Sequence, residues 1–579
     1  MCSIMILGVG VMQQPAYRAA RRNGWRSIAV DRDPNGPAVA LADEFVQVDL
    51  ADPEGVLRAA ERYYNDGGLD GVFTAGTDFS STVAYVAERL GLPGIPYETA
   101  VRATDKARMR ECFRRAGVPS PRFEVVGRGD TDGSGPAQHG GRRPERRAER
   151  LADKLGLPFV VKPVDNMGAR GVRMVEHPDQ ARAALEAALQ HSRSGRAIAE
   201  ELIRGREYSI DALVYDGEVR ITGVADRHIR FAPYFIEMGH TIPTELNGEA
   251  LAELIDAFTR GVRALGITHG AGKGDVFFGP KGAMVGEIAA RLSGGYMSGW
   301  TYPLCSGVEL TEAGMRVALG LDPRPLLEPT VERVTAERAV ISLPGRARRV
   351  EGFDGVRRLE GVAEVFQRTR SGERVLFPRN NVEKCGNVIT VGDTRVEAVR
   401  RAASAIRAVT IELQPGDPET AAFLFGPETP AAHHAFTLEG YALKQRLAEL
   451  PAVIGGAERL TARRVLSLPG IEHERGRDWR GQTPAETLAE LQRLCGIEFI
   501  DPGDTAGSPA ARHPTAAHPA AAHPAAGTAQ PDSTPAGAFW RAFIVGGLQG
   551  ARYLIDTIKE CEYETIKQEI LSRYRPLLG

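Results

Sequence analysis

In the first hundred residues, short apolar runs alternate with stretches of helical spacing. SIMILGVG is followed by a helical stretch to Asn23-Gly24, then RSIAVDRDP, then a helix through Leu57 to Tyr64. GVFTAGTD is another apolar run, followed by a helix around Val83 to Leu90. This alternation predicts a parallel-sheet unit over residues 1–100. From Thr104 the pattern changes. TDKARMRECFRRAG predicts a helix with Thr104 or Asp105 as cap and Gly117 as stop. Residues 127–148 form a polar, glycine-rich insertion that reads as disordered. The runs LPFVVKP, AIAEELI and EYSIDALVY follow as strands. Residues 334–412 predict a small α+β module. It ends in a helix whose apolar positions are Val396, Val399, Ala403, Ile406 and Val409. Residues 418–500 read as a mostly helical extension, 502–537 as an Ala/Pro/His linker, and 538–579 as a helical tail.

The stretch GDVFFGPKGAMVGEIAARLSGG, residues 274–295, predicts a hairpin. A three-residue turn Pro280-Lys281-Gly282 would pair Gly279 with Ala283, Phe277 with Val285 and Asp275 with Glu287. Directly opposed residues share a face, with Cβ atoms about 5 Å apart. Period-two alternation would add Ala289 and Arg291 to the face of Glu287. Two carboxylates side by side between apolar neighbours repel unless a cation or proton sits between them. Magnesium suits such a pair, because it takes one or two carboxylates together with substrate phosphates.

Composition narrows the field. A length of 579 residues implies three or four domains. The charge is nearly balanced, 72 basic against 74 acidic residues, so no electrostatic footprint for nucleic acid is present. No stretch offers the roughly 18 apolar residues needed to span a membrane. The best candidate, residues 539–555, is interrupted by Arg541, Gln549 and Arg552. Six cysteines without CxxC spacing fit reduced thiols, and a cytoplasmic protein is the expectation. Gly8, Gly10 and Asp31 raise a dinucleotide site, but the third glycine position is Gln13, so a tight turn is the reading.

Lys162 closes the strand LPFVVK ahead of the loop DNMGARG, where backbone N–H groups and an ammonium can together hold phosphates. Lys106, in a helix's first turn, opposes the macrodipole unless an anion is near. The strand ending at Glu200-Glu201-Leu202-Ile203 exposes backbone groups able to read an adenine edge, and Glu207 can accept from ribose hydroxyls. TDKARM, VVKPVDNMGARGV, EELIRGREYSID and the hairpin, in that order after a parallel α/β opening domain, resemble the ATP-grasp superfamily over residues 1 to about 415.

The resemblance implies a Rossmann-like N-terminal sheet and a two-lobed ATP-grasp domain over 101–330. A small α+β lid and a mostly helical extension complete the implied architecture. ATP and Mg2+ (or Mn2+) are the implied cofactors. Lys106 and Lys162 would hold phosphates under the loop at Gly168 and Gly171. Glu200 and Ile203 would bind adenine, and Glu207 the ribose. Asp275 and Glu287 would ligate the metal, and Arg291 would stabilise the transferred group. The sequence departs from many relatives at Ala289, where they carry Asn, and at Lys273, where amino-acid ligases carry His. The segment 231–246 resembles the substrate loop of amino-acid and peptide ligases, with Glu237 or His240 facing an amine. The implied activity is a carboxylate–amine ligase acting through an acyl phosphate on small-molecule substrates. Carboxyphosphate chemistry and a non-catalytic nucleotide scaffold are the alternatives. Residues 418–579 carry no resemblance and are assigned to oligomerisation, a partner or substrate selection.

Overall fold

The computed structural model describes residues 2–127, 143–426, 433–436, 466–467, 477–495, 499–500 and 535–560. Most of the glycine-rich insertion, the 502–537 segment and the residues beyond 560 lie outside the described residues, as does much of 418–500.

The opening unit is the expected parallel sheet. Strands β1 (Ser3–Leu7), β2 (Arg26–Asp31), β3 (Glu44–Gln47) and β4 (Gly71–Phe73) lie in the order β3-β2-β1-β4. Gln13 explains why the glycine turn after β1 is closed. Its side-chain oxygen accepts from the Gly10 N–H at 2.9 Å, and its amide nitrogen donates to the Ala75 carbonyl. The carboxamide thus occupies the turn itself, as the tight-turn reading requires.

A second four-stranded sheet forms the small lobe, with β5 (Phe123–Gly127), β6 (Phe159–Pro163), β7 (Arg173–Val175) and β8 (Arg196–Glu201) in the order β5-β8-β6-β7. The helix Lys106–Ala116 leads into it. Asp105 caps that helix by accepting from the Ala107 and Arg108 N–H groups, and Gly117 ends it in the left-handed region.

The large sheet has eight strands. Its first part comprises β9 (Arg206–Tyr215), β10 (Glu218–Arg230), β11 (Ile236–Ile242), β12 (Gly270–Gly279) and β13 (Gly282–Ala289). The region 334–412 contributes β14 (Val334–Val340), β15 (Gly345–Glu351), β16 (Val362–Gln367), β17 (Arg374–Val375), β18 (Gly386–Gly392) and β19 (Thr410–Leu413). Strand β14 pairs antiparallel with β11, so the sheet runs β13-β12-β9-β10-β11-β14-β18-β16. The 334–412 module therefore extends the site-bearing sheet across its far edge, with only β17-β15-β19 forming a separate sheet.

One expectation is corrected. The helix Arg395–Ala408 buries Ala398, Ala402, Ala405 and Ile406 against β14 and β18, while Val396 is 78% exposed. Of the expected apolar positions Ile406 and Val409 are buried and Val399 packs against Ala336, Ala398 and Ala402, so the departure lies at Val396. The expected C-terminal helical segment is present over Pro535–Glu560, broken at Gly547, whose backbone is non-helical with φ 57°. Phe539, Phe543, Ile544, Leu548 and Leu554 join one core with Val340, Leu343, Phe353 and Val388 of the module. Its polar interruptions are all satisfied there. Arg541 donates to the carbonyls of Leu424 and Gly426 at 3.0 Å, and Arg552 donates to Glu412 at 2.7 Å. Gln549 donates to Ile411 O at 2.9 Å and accepts from the Leu343 N–H at 2.9 Å. Among the described residues no helix is long and apolar enough to cross a membrane, and no disulfide forms.

Candidate functional site

The hairpin brings its two acids together, by a route that differs from the expected one. Gly279 pairs with Gly282 and Phe277 with Met284, so the turn holds only Pro280 and Lys281. The register then shifts between Asp275 and Val276, with Gly286 as the extra residue, and Asp275 falls opposite Glu287 after all. Gly286 suits this bulge because a Cβ there would meet the Phe277 ring at 2.6 Å and the Asp275 carbonyl at 3.0 Å. Strand β13 stops at Ala289, so alternation does not place Arg291. Arg291 instead turns to the glycine loop, with its guanidinium 3.7 Å from the Met167 sulfur and donating to Leu292 O at 2.9 Å.

The two acids face a cavity of about 850 Å3 between the small lobe and the large sheet. Lys106, Lys162, Gly168 and Glu200 line it from the lobe side, with Ile203, Glu207, Asp275 and Glu287 opposite. Gly171 and Arg291 do not line it. Gly171 closes the loop at φ 73°, packed so that a Cβ would come within 2.9 Å of His191.

Both lysines are held by internal acids. Lys106, 5% exposed, donates to Asn166 O in the glycine loop at 2.7 Å and lies 3.4 Å from Glu287. Lys162 lies 2.6 Å from Glu200. Arg110 Nε approaches the other oxygen of Glu200 at 2.7 Å, an ionic contact without hydrogen-bond alignment. Burial pushes the Glu200 carboxyl up, but Arg110 and Lys162 outweigh it and hold the group below its ordinary range. The Glu200 side chain thus braces Lys162, while Leu202 and Ile203 of the same segment line the cavity.

Sequence reasoning missed Arg227, on β10. Its guanidinium meets Glu207, Glu237 and Asp275, with Nε 3.1 Å from Glu237 and one terminal nitrogen 2.5 Å from Asp275. Lys273 is also paired with Asp275. Burial would raise Asp275, yet Arg227 and Lys273 together keep it low. Burial would likewise raise Glu287, and Lys106 and Lys162 hold it low. Glu207 behaves differently: burial lifts it to about 7 despite Arg227. No local pattern marks Arg227, because its partners come from three other strands.

Glu237 and His240 are engaged within the sheet and do not line the cavity. His240 is fully buried, with Nε2 3.1 Å from Thr301 Oγ1 and Nδ1 3.3 Å from Glu337. The glycine loop is clasped from both flanking units. Arg170 donates to Asp78 of the first unit at 2.9 Å, and the Asn381 N–H of the C-terminal module donates to Gly168 O at 3.2 Å.

Paired cations beside a glycine loop, facing two opposed carboxylates, are a donor set chemically suited to a metal-bound polyphosphate. Three families match the chain: the ATP-grasp domain at residues 155–299, the ATP-grasp N-terminal domain at 17–94, and the L-amino acid ligase C-terminal domain 2 at 338–414. The chain carries an ATP-grasp domain. Carnosine synthase 1 of Gallus gallus is 28% identical over 433 residues, covering 71% of the chain and 45% of that relative. The L-arginine-specific L-amino acid ligase of Bacillus subtilis is 22% identical over 291 residues, covering 49% of the chain and 65% of that relative. The chain thus spans about half the length of the chicken relative. An L-amino acid ligase from Bacillus licheniformis shares the ATP-grasp fold, with a TM-score of 0.59, 20% identity, and coverage of 72% of this chain and 99% of that one.

Proposed function

We propose that this ATP-grasp protein is an ATP-dependent carboxylate–amine ligase that activates a small carboxylate as its acyl phosphate. The observation that carries the reading is the single cavity in which Lys106 and Lys162 face Asp275 and Glu287. The match of residues 338–414 to an amino-acid ligase module supports the choice among ATP-grasp reactions.

In this reading Lys106 and Lys162 neutralise the phosphates, with the Gly168 loop folded over them. The backbone around Ile203 reads the adenine, and Glu207 meets the ribose. The ionised, opposed carboxylates of Asp275 and Glu287 are hard oxygen donors and fit a magnesium ion. When bound, that ion supplies charge neutralisation on the transferring phosphoryl group. A substrate carboxylate oxygen attacks the γ-phosphorus, the bond to the β-phosphate oxygen breaks, and ADP leaves. The amine nitrogen then attacks the acyl carbon, and phosphate departs with the electron pair of the C–O bond. Arg291 does not line that cavity, so in this reading the cations beside the phosphoryl oxygens are Lys106 and Lys162. Binding energy goes into alignment and charge neutralisation, and no protein nucleophile is needed.

The test is ADP release by purified protein over pooled carboxylates with pooled amines, with bicarbonate as a separate arm. ADP release that requires both an organic carboxylate and an amine, and that is lost in Glu287→Ala and Lys162→Ala, is the expected result. Release with bicarbonate alone would point to carboxyphosphate formation, and full activity in either variant would overturn the assignment.

A further inference from the structure

The acidic hairpin carries a cation of its own. Lys273 stands in register between Asp211 of β9 and Ala289 of β13, two residues before Asp275 and therefore on the same face of β12. Its ammonium meets Asp275 at Oδ1, and its side chain is only 11% exposed. Glu207, Asp211 and Glu287 also feel its charge, so one ammonium serves four carboxylates. Asp211 is fixed, 1% exposed, accepting from the Tyr302 hydroxyl at 3.0 Å and the Ser293 N–H at 3.2 Å.

This face of the hairpin is a square of four positions. Asp275 and Glu287 occupy one edge, Lys273 and Ala289 the other. A divalent cation needs oxygen donors. The first edge offers two carboxylates, whereas the second offers an ammonium and a methyl group. The Lys273 ammonium, together with the Arg227 guanidinium on the same Asp275 Oδ1, also repels any further cation from that corner.

We propose that Lys273 is a built-in cation of the nucleotide site, holding the Asp275 corner so that a single divalent ion accompanies the nucleotide there in place of a pair. The inference rests on the ATP reading above. Lys273 is in this account a positioning residue, whose charge substitutes for a metal charge.

The test counts Mn2+ bound per chain, by electron paramagnetic resonance of the free ion, at saturating non-hydrolysable ATP analogue. One nucleotide-dependent Mn2+ is expected in the natural protein. Ala289→Asn alone, which supplies an oxygen donor but keeps the ammonium, is expected to stay at one. Lys273→Met combined with Ala289→Asn is expected to bind two. Lys273→Gln with Ala289→Asn gives the same count should the methionine variant fail to fold. Two ions in the natural protein or in Ala289→Asn would overturn the proposal, as would one ion in the double variants. Absence of any nucleotide-dependent Mn2+ in the natural protein would instead overturn the nucleotide reading itself, and the proposal with it.

Discussion

Arg170, in the glycine loop, is paired with Asp78 of the N-terminal sheet unit at 2.9 Å. With the Asn381 N–H on Gly168 O, this pair ties the loop to both flanking units. The pair is partly exposed, 40% at Arg170 and 19% at Asp78, so its direct contribution to stability is at most about 1 kcal/mol. Its effect should fall on the nucleotide. Asp78→Asn is expected to raise KM for ATP several-fold with a smaller change in kcat, and to speed proteolytic cleavage within 165–171. Steady-state kinetics and limited digestion check this; unchanged KM and cleavage would show that the pair is no clasp.

Glu207 supplies a pH signature. Burial raises its pKa from 4.5 to about 7, so the folded protein holds a proton that the unfolded chain has already released across that interval. Stability associated with Glu207 is therefore complete below about 4.5 and is lost as pH rises through about 7. Relative to Glu207→Gln, the natural protein should lose on the order of 2–3 kcal/mol between these limits and no more above them. Urea midpoints measured for both proteins across this range check the sign. A difference that grows in favour of the natural protein as pH rises would contradict it.

Gln549 links the C-terminal helix to the module beside the site. Its loss strands the Leu343 N–H, which is held at 2.9 Å, and also frees Ser342 Oγ and Ile411 O. Gln549→Ala is expected to destabilise by about 1–3 kcal/mol. Calorimetry would register it as a lower Tm. An unchanged Tm would mean that the helix is not part of the module's core.

The site was legible where its chemistry is local. Asp105, Lys106 and Gly117 declare a capped helix, and Lys162 declares a strand end before a glycine loop. Asp275 opposite Glu287 also follows from alternation, although the turn is one residue shorter than expected and the bulge at Gly286 restores the register. What stayed hidden is long-range. Arg227 draws its meaning from acids at 207, 237 and 275, and Glu200 from cations at 110 and 162. At fold level, Val396 looked like a core residue because it is large, but its helix turns Ala398, Ala402, Ala405 and Ile406 toward β14 and β18. The continuity of β11 with β14, and the seating of Phe539 and Phe543 in the same core as Leu343, are likewise tertiary facts with no periodic signature.

In the proposed reaction a carboxylate oxygen passes to phosphate through an acyl phosphate. With the carboxylate identified by the ADP screen and labelled with 18O, product phosphate analysed by mass spectrometry should carry one 18O per amide formed. Unlabelled phosphate accompanying full amide formation would contradict the account.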